Sequence, residues 1–333
     1  MGSDSNIDGG KGMNSTERVK RAITGQAVDR TPMYGWLSAN LTDELTRACG
    51  SVAAFEDKYE FDAAHIFGGP STFNKEEIQK LRDVGEEITP ETLLDIPFMP
   101  VDRMEDYESV RNALAFHKQR GRFCYVQTPG FFEQFNDPLG IENQLMDLAL
   151  YPDELMELYT RQAEWTKRFA SNMLDLGVDM IHVSDDWGSQ RSMLFNPRMW
   201  REMIYPNLKA VADFVHARAA LVSLHSDGNI VAALDGLTEI GIDLLHPWQE
   251  SAGMSYDLYL EKYQNRFAIM GGLCVQTTLG FQNYERLERE IRRVFGLLRG
   301  KRWVLCTTHF VQSHCTLDEL AFAYDLCYKL ARE

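Results

Sequence analysis

The sequence lacks the features of a membrane, secreted or nucleic-acid-binding protein. No apolar run approaches the roughly 18 residues that a membrane-spanning helix needs, and no signal peptide pattern is present. The six cysteines form no CxxC pair and no regular disulfide framework, which favours a reducing cytoplasm. The net charge of −15 would repel nucleic acid and anionic membrane surfaces. We therefore expect a soluble, cytoplasmic protein.

Length and composition favour one large domain. The chain has 333 residues, of which 44% are hydrophobic, enough for an α/β barrel of about 250 residues with extensions. Residues 1–12 are rich in Gly, Ser, Asp and Asn and have little to bury, so we expect a disordered leader. Residues 13–333 would form the single domain. It would begin with an N-terminal helical extension over 15–23 that Gly25 ends.

Short apolar segments alternate with amphipathic segments through the rest of the chain. Eight apolar segments predict strands, and these are residues 32–36, 63–67, 123–128, 180–184, 220–224, 243–247, 267–270 and 303–306. The amphipathic segments predict crossover helices at 152–176, 197–218, 230–240, 256–263 and 284–298, with a final helix at 317–331. This alternation favours a closed (β/α)8 TIM barrel, although an open doubly wound sheet would give a similar pattern. The charged, proline-containing stretch 74–122 predicts an insertion after the second strand.

Residues 220–230 carry the first candidate site. The apolar run ends at His225, and Asp227 follows two positions later. Side chains two apart in an extended strand point to the same face, so this imidazole and carboxylate would lie side by side and hold a metal ion. The alternative is that His225 hydrogen-bonds a neighbouring loop while Asp227 caps the next helix.

Other reactive side chains follow the predicted strands, at the end where a barrel places its active site. They are Trp36, Asp185, Asp186, Trp187, Trp248, Gln249, Cys306 and His309. Adjacent carboxylates such as Asp185 and Asp186 repel each other unless a cation, a donor or a proton satisfies them, and their alternative role is a helix N-cap. The tryptophans are either core residues or walls of a substrate pocket. Their collection at one end of the strands favours the functional interpretation.

Four segments, in order, resemble the uroporphyrinogen decarboxylase superfamily. They are residues 177–188 (GVDMIHVSDDWG), 196–206 (NPRMWREMIYP), 224–229 (LHSDGN) and 270–273 (MGGL). The opening RVKRAITG at 18–25, followed by DRTP at 29–32, is similar to the superfamily's N-terminus. The resemblance covers residues 14–331. It implies a (β/α)8 barrel, in agreement with the strand count.

True uroporphyrinogen decarboxylases form one branch of this superfamily. The resemblance to them would imply arginines just after the Arg-x-Pro element, which hold the carboxylates of the substrate, and an aspartate after the second strand, which binds its pyrrole NH groups. Here residues 33–39 (MYGWLSA) contain no arginine, and residues 66–69 are IFGG. A substrate with many carboxylates needs cationic partners. The sequence therefore argues against porphyrin decarboxylation.

The other branch comprises cobamide-dependent methyltransferases, in which a His-x-Cys element and a later cysteine hold zinc. By this resemblance His225 is the histidine, Asp227 replaces the first cysteine, and His309 stands at the later position, with Cys306 close by as a substitute. Imidazole and carboxylate are accepted zinc ligands, and three protein ligands leave one position open for substrate. The harder ligand set favours a site that polarises an oxygen or nitrogen atom.

The resemblance and the candidate residues together predict a zinc-dependent methyltransferase. It would move a methyl group between a small O- or N-methylated compound and a cobamide carried by a separate corrinoid protein. The expected catalytic residues are Asp185 and Asp186, and the expected substrate-binding residues are Trp36, Trp187, Trp248 and Gln249. The resemblance also implies a homodimer. Two alternatives stay open, namely a decarboxylase or lyase of a small carboxylic acid and a barrel that binds a ligand without turnover.

Overall fold

The fold is an α/β arrangement built on one curled parallel sheet. The computed structural model describes residues 12–85 and 87–333, so the leader predicted over 1–12 lies outside the described residues except for Gly12. Seven strands pair in chain order, each parallel to the next. They are β1 (Ala63–Ile66), β2 (Phe123–Pro129), β3 (Met180–Ser184), β4 (Leu221–His225), β5 (Leu244–His246), β6 (Ala268–Leu273) and β7 (Trp303–Thr307). Seven of the eight predicted strands are thereby confirmed.

Residues 32–36, predicted as the first strand, form a bridge and not a strand. Met33 pairs with Leu305 of β7 as an isolated parallel bridge. The Met33 carbonyl also accepts a hydrogen bond from the N–H of Asp62, just before β1, at 2.8 Å. The segment thus bonds to both edges of the curled sheet. The ladder does not continue along β7 because the Trp36 N–H donates to the Thr307 side-chain hydroxyl at 3.0 Å and not to a backbone carbonyl.

Helices connect the strands and cover the sheet. They are α1 (Ser15–Thr24), α2 (Ser38–Cys49), α3 (Val52–Lys58), α4 (Lys75–Asp83), α5 (Pro90–Leu94), α6 (Glu108–Lys118), α7 (Asn136–Leu139), α8 (Ile141–Leu150), α9 (Pro152–Asp175), α10 (Pro197–Met199), α11 (Tyr205–Ala217), α12 (Leu234–Ile240), α13 (Tyr256–Leu258), α14 (Tyr284–Leu298) and α15 (Leu317–Leu330). Single 3-10 turns occur at Met104–Tyr107, Glu133–Phe135, Val231–Ala233 and Glu250–Ala252, and π turns at Trp200–Ile204 and Tyr259–Tyr263. Within the described ranges, no helix combines the length and apolarity that a membrane span requires.

Most predicted helices are present, and their packing follows the predicted pattern. In α14 the buried residues include Leu287, Ile291, Val294 and Leu298, which lie on one helical face. The helix predicted over 197–218 is divided by the π turn Trp200–Ile204, because Pro206 cannot donate the hydrogen bond that would continue an α-helix through this point. The predicted insertion at 74–122 contains α4, α5 and α6.

Aspartates stand at the N-terminal ends of alternate strands. Asp62, Asp179 and Asp243 directly precede β1, β3 and β5. Each carboxylate accepts a hydrogen bond at 2.9 Å from a backbone N–H of a neighbouring strand or bridge, and the donors are Met33, Cys124 and Val222. These contacts fix the register at the end of the sheet opposite the predicted site.

Candidate metal centre

Two loops meet backbone to backbone at the C-terminal ends of β3 and β4. A Cβ atom on Gly188 would overlap the backbone of the loop after β4, and a Cβ atom on Gly228, whose φ is +79°, would overlap the loop after β3. Glycine at both positions permits this approach. As a result, the Asp186 carboxylate accepts a hydrogen bond from the N–H of Asp227 at 2.7 Å.

Asp186, His225 and Asp227 form a cluster of candidate metal ligands. His225 Nε2 lies 3.6 Å from Asp186 Oδ1 and 4.0 Å from Asp227 Oδ2. Both distances exceed the range of about 2.7–3.2 Å that joins N and O in a hydrogen bond. They fit a shared cation, because two atoms that each lie about 2.1 Å from one metal ion are at most about 4.2 Å apart.

The electrostatic setting of this cluster favours a cation. Burial and the charges of Asp186 and Glu133 raise the pKa of Asp227 to about 7, and burial also raises the pKa of Asp186. Burial, with a smaller contribution from His309, lowers the pKa of His225 to about 3, so this imidazole is neutral at pH 7. Among the described residues, no Lys or Arg forms an ion pair with these carboxylates. A metal ion would satisfy two carboxylates and a neutral imidazole together.

His309 lies on the other side of Asp227. Its Nε2 atom is 3.7 Å from Asp227 Oδ2, again within the spacing of a shared cation. Burial lowers the pKa of His309, which favours the neutral, ligating form. The ring borders a cavity of about 270 Å³, which is also lined by Asp227, Gln249, Val275, Gln276, Thr308 and Gln312. The cavity lining contains no Lys or Arg.

Asp185, although adjacent to Asp186, faces a different part of the protein. Its fully buried carboxylate accepts hydrogen bonds from the N–H groups of Phe131 at 2.9 Å and Glu133 at 2.7 Å. Burial raises the pKa of Asp185 to about 7, although both hydrogen bonds favour the ionised form. Asp186 therefore joins the ligand cluster, whereas Asp185 holds the turn after β2.

A match to a known family covers the region of this cluster. The family described as uroporphyrinogen decarboxylase (URO-D) matches residues 138–330, which include Asp186, His225, Asp227 and His309. The chain belongs to the uroporphyrinogen decarboxylase family. The resemblance inferred from the four sequence segments is thereby confirmed. No curated protein sequence matches the chain.

Solved structures are similar to this chain at low sequence identity. A methyltransferase from Methanosarcina mazei is 16% identical, with a TM-score of 0.75 over 94% of this chain and 98% of that chain. A sugar phosphate isomerase/epimerase from Parabacteroides distasonis is 11% identical, with a TM-score of 0.48 over 91% of this chain and 96% of that chain. A B12-independent methionine synthase from Shewanella sp. W3-18-1 is 14% identical, with a TM-score of 0.46 over 67% of this chain and 65% of that chain.

In this member of the uroporphyrinogen decarboxylase family, Trp36 orients the histidines of the site. Its ring stacks on His225 with 5.2 Å between centroids, and it lies 4.4 Å from the ring of His246. The indole N–H donates to the hydroxyl of Tyr125 at 2.8 Å. Trp36 is almost fully buried. It therefore acts on the site mainly through the imidazoles it packs against.

The other predicted substrate contacts separate into core and cavity residues. Trp187 is fully buried against Trp200, and Trp248 is fully buried with its N–H donating to the Ser255 carbonyl at 3.2 Å. Neither is among the residues that line the cavity. Gln249 does line it, and its carboxamide oxygen accepts the N–H of Gly228 at 2.6 Å.

Cys306, the predicted substitute ligand, lies outside both groups of potential ligands that the described residues form. Its thiol is fully buried in β7, and burial raises its pKa. A thiol becomes a metal ligand as the thiolate, which this setting disfavours.

Glu133 and His246 are functional candidates outside the site residues predicted from the sequence, where the role of the strand-end His246 was left open. Glu133 follows β2, accepts a hydrogen bond from the Ser184 hydroxyl at 2.9 Å, and has a pKa raised by burial and by the charge of Asp186. His246 ends β5 in register with His225, and their Nδ1 atoms lie 2.9 Å apart. The position of His246 at the end of a predicted strand indicated that its side chain could reach the site. No periodicity marks Glu133, because it lies in a turn.

Proposed function

We propose that this protein is a metal-dependent methyltransferase that moves a methyl group between a small O- or N-methylated compound and a corrinoid protein. The observation that carries the proposal is the cluster of Asp186, His225 and Asp227 beside a cavity whose lining contains no Lys or Arg. The fold likeness to the methyltransferase from Methanosarcina mazei supports the same reaction class. The bridge at Met33 supports a closed (β/α)8 barrel as the frame of the site.

The side chains of the cluster fit zinc as the metal. The proposed ligands are His225, Asp227 and Asp186, with His309 as the fourth side chain. His225 Nε2 lies 3.6 and 4.0 Å from the two carboxylates, distances that one ion can bridge, and zinc accepts both imidazole nitrogen and carboxylate oxygen. His309 lies 3.7 Å from Asp227 and outside the group of ligand atoms that are all close to one another. When bound, zinc would act as a Lewis acid on the oxygen or nitrogen atom of the methyl donor.

The reaction needs a proton when the donor is an ether or a neutral amine. The bond between the methyl carbon and the heteroatom breaks, the methyl group passes to the reduced corrinoid, and the heteroatom keeps the electron pair. An oxygen or a neutral amine then gains a proton, whereas a quaternary ammonium leaves as a neutral amine without one. Glu133 is the proposed source of that proton, because its raised pKa keeps it protonated over a wider pH range than an ordinary glutamate. Asp185 positions Glu133 by accepting its backbone N–H at 2.7 Å.

The cavity offers polar contacts for a small donor, and the aromatic ring of Phe310, which does not line it, follows next in the chain after His309. Gln249 and Gln276 present carboxamides at its edge, joined by a hydrogen bond of 2.8 Å. Phe310 packs against Trp36 with 4.8 Å between centroids and stacks on the half-exposed Phe67 at 6.4 Å. An uncharged or cationic donor with an apolar body suits this combination. The homodimer implied by the family resemblance stays a prediction.

Decarboxylation of a carboxylic acid is the weaker alternative. A carboxylate substrate needs cationic or multiple hydrogen-bonding partners, and the charge of Asp186 already raises the pKa of Asp227 here. The cavity residues include no Lys or Arg. The segment 33–39, which also lacks arginine, adds none.

The test is a methyl-transfer assay with zinc-loaded protein and cob(I)alamin. A panel of methoxylated aromatics, methylamines and betaines is supplied, and methylcobalamin formation is followed by absorbance. We expect at least one donor to react with the wild type and none with Asp227→Asn. Uroporphyrinogen, as the comparison substrate, should release no carbon dioxide.

Two outcomes would overturn the proposal. Carbon dioxide release from uroporphyrinogen or a small acid, without methyl transfer from any donor, would assign a decarboxylase. Protein that neither retains zinc after dialysis nor turns over any substrate would assign a ligand-binding barrel.

A further inference from the structure

His225 and His246 form a buried pair in which both ring nitrogens of His246 have a hydrogen-bond partner. The two residues are register partners on β4 and β5, so both side chains point to the same side of the sheet. Their rings are 5% and 0% exposed. Trp36 packs against both rings, so neither imidazole is free to rotate.

The contacts of His246 determine which of its nitrogens carries the proton. His246 Nε2 lies 3.0 Å from the backbone carbonyl oxygen of Thr307. A carbonyl oxygen only accepts hydrogen bonds, so Nε2 carries the hydrogen. Burial keeps the ring neutral, and a neutral imidazole has one N–H, which leaves Nδ1 of His246 as an acceptor.

The same reasoning extends to His225. Its Nδ1 atom lies 2.9 Å from Nδ1 of His246, a hydrogen-bond distance that needs one proton between the two nitrogens. Because His246 Nδ1 is the acceptor, the proton belongs to His225 Nδ1. The Nε2 atom of His225 is then unprotonated and faces Asp186 and Asp227 with its lone pair.

We propose that His246 is a positioning residue that sets the tautomer of His225 and so prepares Nε2 to bind the metal. The proposal rests on the metal site of the proposed function. Without His246, the two carboxylates would draw the proton to Nε2, since Asp186 and Asp227 accept hydrogen bonds and His225 Nδ1 would have no acceptor. That tautomer cannot bind a metal through Nε2 until the proton moves.

The direct test uses metal-free wild-type protein labelled with ¹⁵N-histidine. Long-range ¹H–¹⁵N correlation spectra at neutral pH distinguish protonated from unprotonated ring nitrogens. We expect His225 to be protonated at Nδ1 and His246 at Nε2. The opposite tautomer of either ring would overturn the proposal. This measurement involves neither metal nor substrate, so its failure is separate from failure of the methyltransferase assignment.

Substitution tests the consequence for metal binding. In His246→Leu we expect the His225 proton to appear on Nε2 and the affinity for Zn²⁺ alone to fall by about tenfold or more, as for other partners of metal-ligating histidines. His246→Asn, whose amide oxygen accepts a hydrogen bond, should recover part of the affinity. Unchanged zinc affinity in folded His246→Leu would contradict the proposal.

His182 provides a matched control in the same core. It is also fully buried, but its Nδ1 atom forms its hydrogen bond with the Ser223 hydroxyl, at 2.7 Å, and not with His225. His182→Leu removes an equivalent ring and should leave both the His225 tautomer and the zinc affinity unchanged. His182, His225 and His246 also lie close enough together to form a three-histidine site. Equal loss of zinc in His182→Leu and His246→Leu would place the metal there and overturn the positioning role.

Discussion

The two ends of the sheet handle buried carboxylates in opposite ways. At the N-terminal end, Asp62 is fully buried and accepts hydrogen bonds from Arg18 and Arg30, each at 2.6 Å. At the C-terminal end, Asp186 and Asp227 have only histidines as potential cationic partners within the described chain. One end is neutralised by the chain's own arginines, whereas the carboxylates at the other end have no Lys or Arg partner among the described residues.

A second groove confirms the character of the N-terminal end. It encloses about 650 Å³ and is lined in part by Arg30, Arg299, Arg302 and Arg332. Each of these guanidinium groups is engaged by the fold, and their partners are Asp62, the Leu330 carbonyl, the Ile23 carbonyl and Glu60. Size alone therefore does not identify the functional site. Unsatisfied charge is the better guide to the proposed site, because burying an unpaired carboxylate is costly unless a ligand compensates.

The largest expected effect is at the neutralised end. Asp62→Ala leaves Arg18 and Arg30 without their buried partner, so we expect a loss of about 3–5 kcal/mol in the free energy of unfolding. Chemical denaturation measures it. Asp29→Ala is the control, since this partner of Arg18 is 38% exposed and its removal should cost less than about 1 kcal/mol. A small loss of unfolding free energy in Asp62→Ala would mean that the arginines at the N-terminal end of the sheet do not depend on this carboxylate.

The next largest effect is on metal affinity at the other end. Asp186→Asn and Asp227→Asn should each weaken Zn²⁺ binding by tenfold or more, on the order seen when a metal site loses a supporting group. Stability of the metal-free protein should be equal or higher, because repulsion between the carboxylates is relieved. Titration calorimetry and denaturation measure the two quantities. Lower stability with full zinc affinity would make these residues structural.

The pH dependence of stability sharpens the comparison further. Asp227 has an ordinary pKa of 3.8, which burial raises to about 7 in the folded protein. The folded state therefore keeps this proton while the unfolded state releases it, so metal-free stability should fall as pH rises from 4 to 7. Each pKa unit corresponds to about 1.4 kcal/mol, and with screening at the partly exposed carboxylate we expect a loss of about 2 kcal/mol.

Denaturation of metal-free protein at pH 4, 5.5 and 7 tests this expectation. The Asp227→Asn variant should show a smaller fall over the same range. Part of the fall should remain in the variant, because burial also raises the pKa of Asp185 to about 7. An identical pH dependence in wild type and variant would show that Asp227 is not the group responsible.

The smallest expected effect is at Cys306. Because this thiol is buried outside the ligand cluster, Cys306→Ala should leave zinc affinity unchanged and cost only about 1 kcal/mol of stability. Zinc titration and denaturation of the variant measure both. Loss of zinc binding in the variant would identify Cys306 as a ligand and place the metal closer to β7.

Much of the framework was predictable because its signals are local. Apolar runs located β1 to β7, and helical periodicity located α14 at Tyr284–Leu298. The missing eighth strand was less predictable. Residues 32–36 are apolar, but a strand also needs a ladder of backbone hydrogen bonds, and only the Met33 bridge forms.

The sequence alone predicts that an apolar strand ends near His225 and that Asp227 follows two positions later. Since β4 ends at His225, Asp227 lies in the following loop, and its position 4.0 Å from His225 Nε2 depends on that loop and not on strand alternation. Only the tertiary structure decided between Asp185 and Asp186. Asp186 bonds to a residue 41 positions away, and Asp185 to one 52 positions away. The pairing of His225 with His246 likewise depends on strand register across 21 positions. Adjacent residues with the same carboxylate group take different roles because distant loops, which no local pattern encodes, supply their partners.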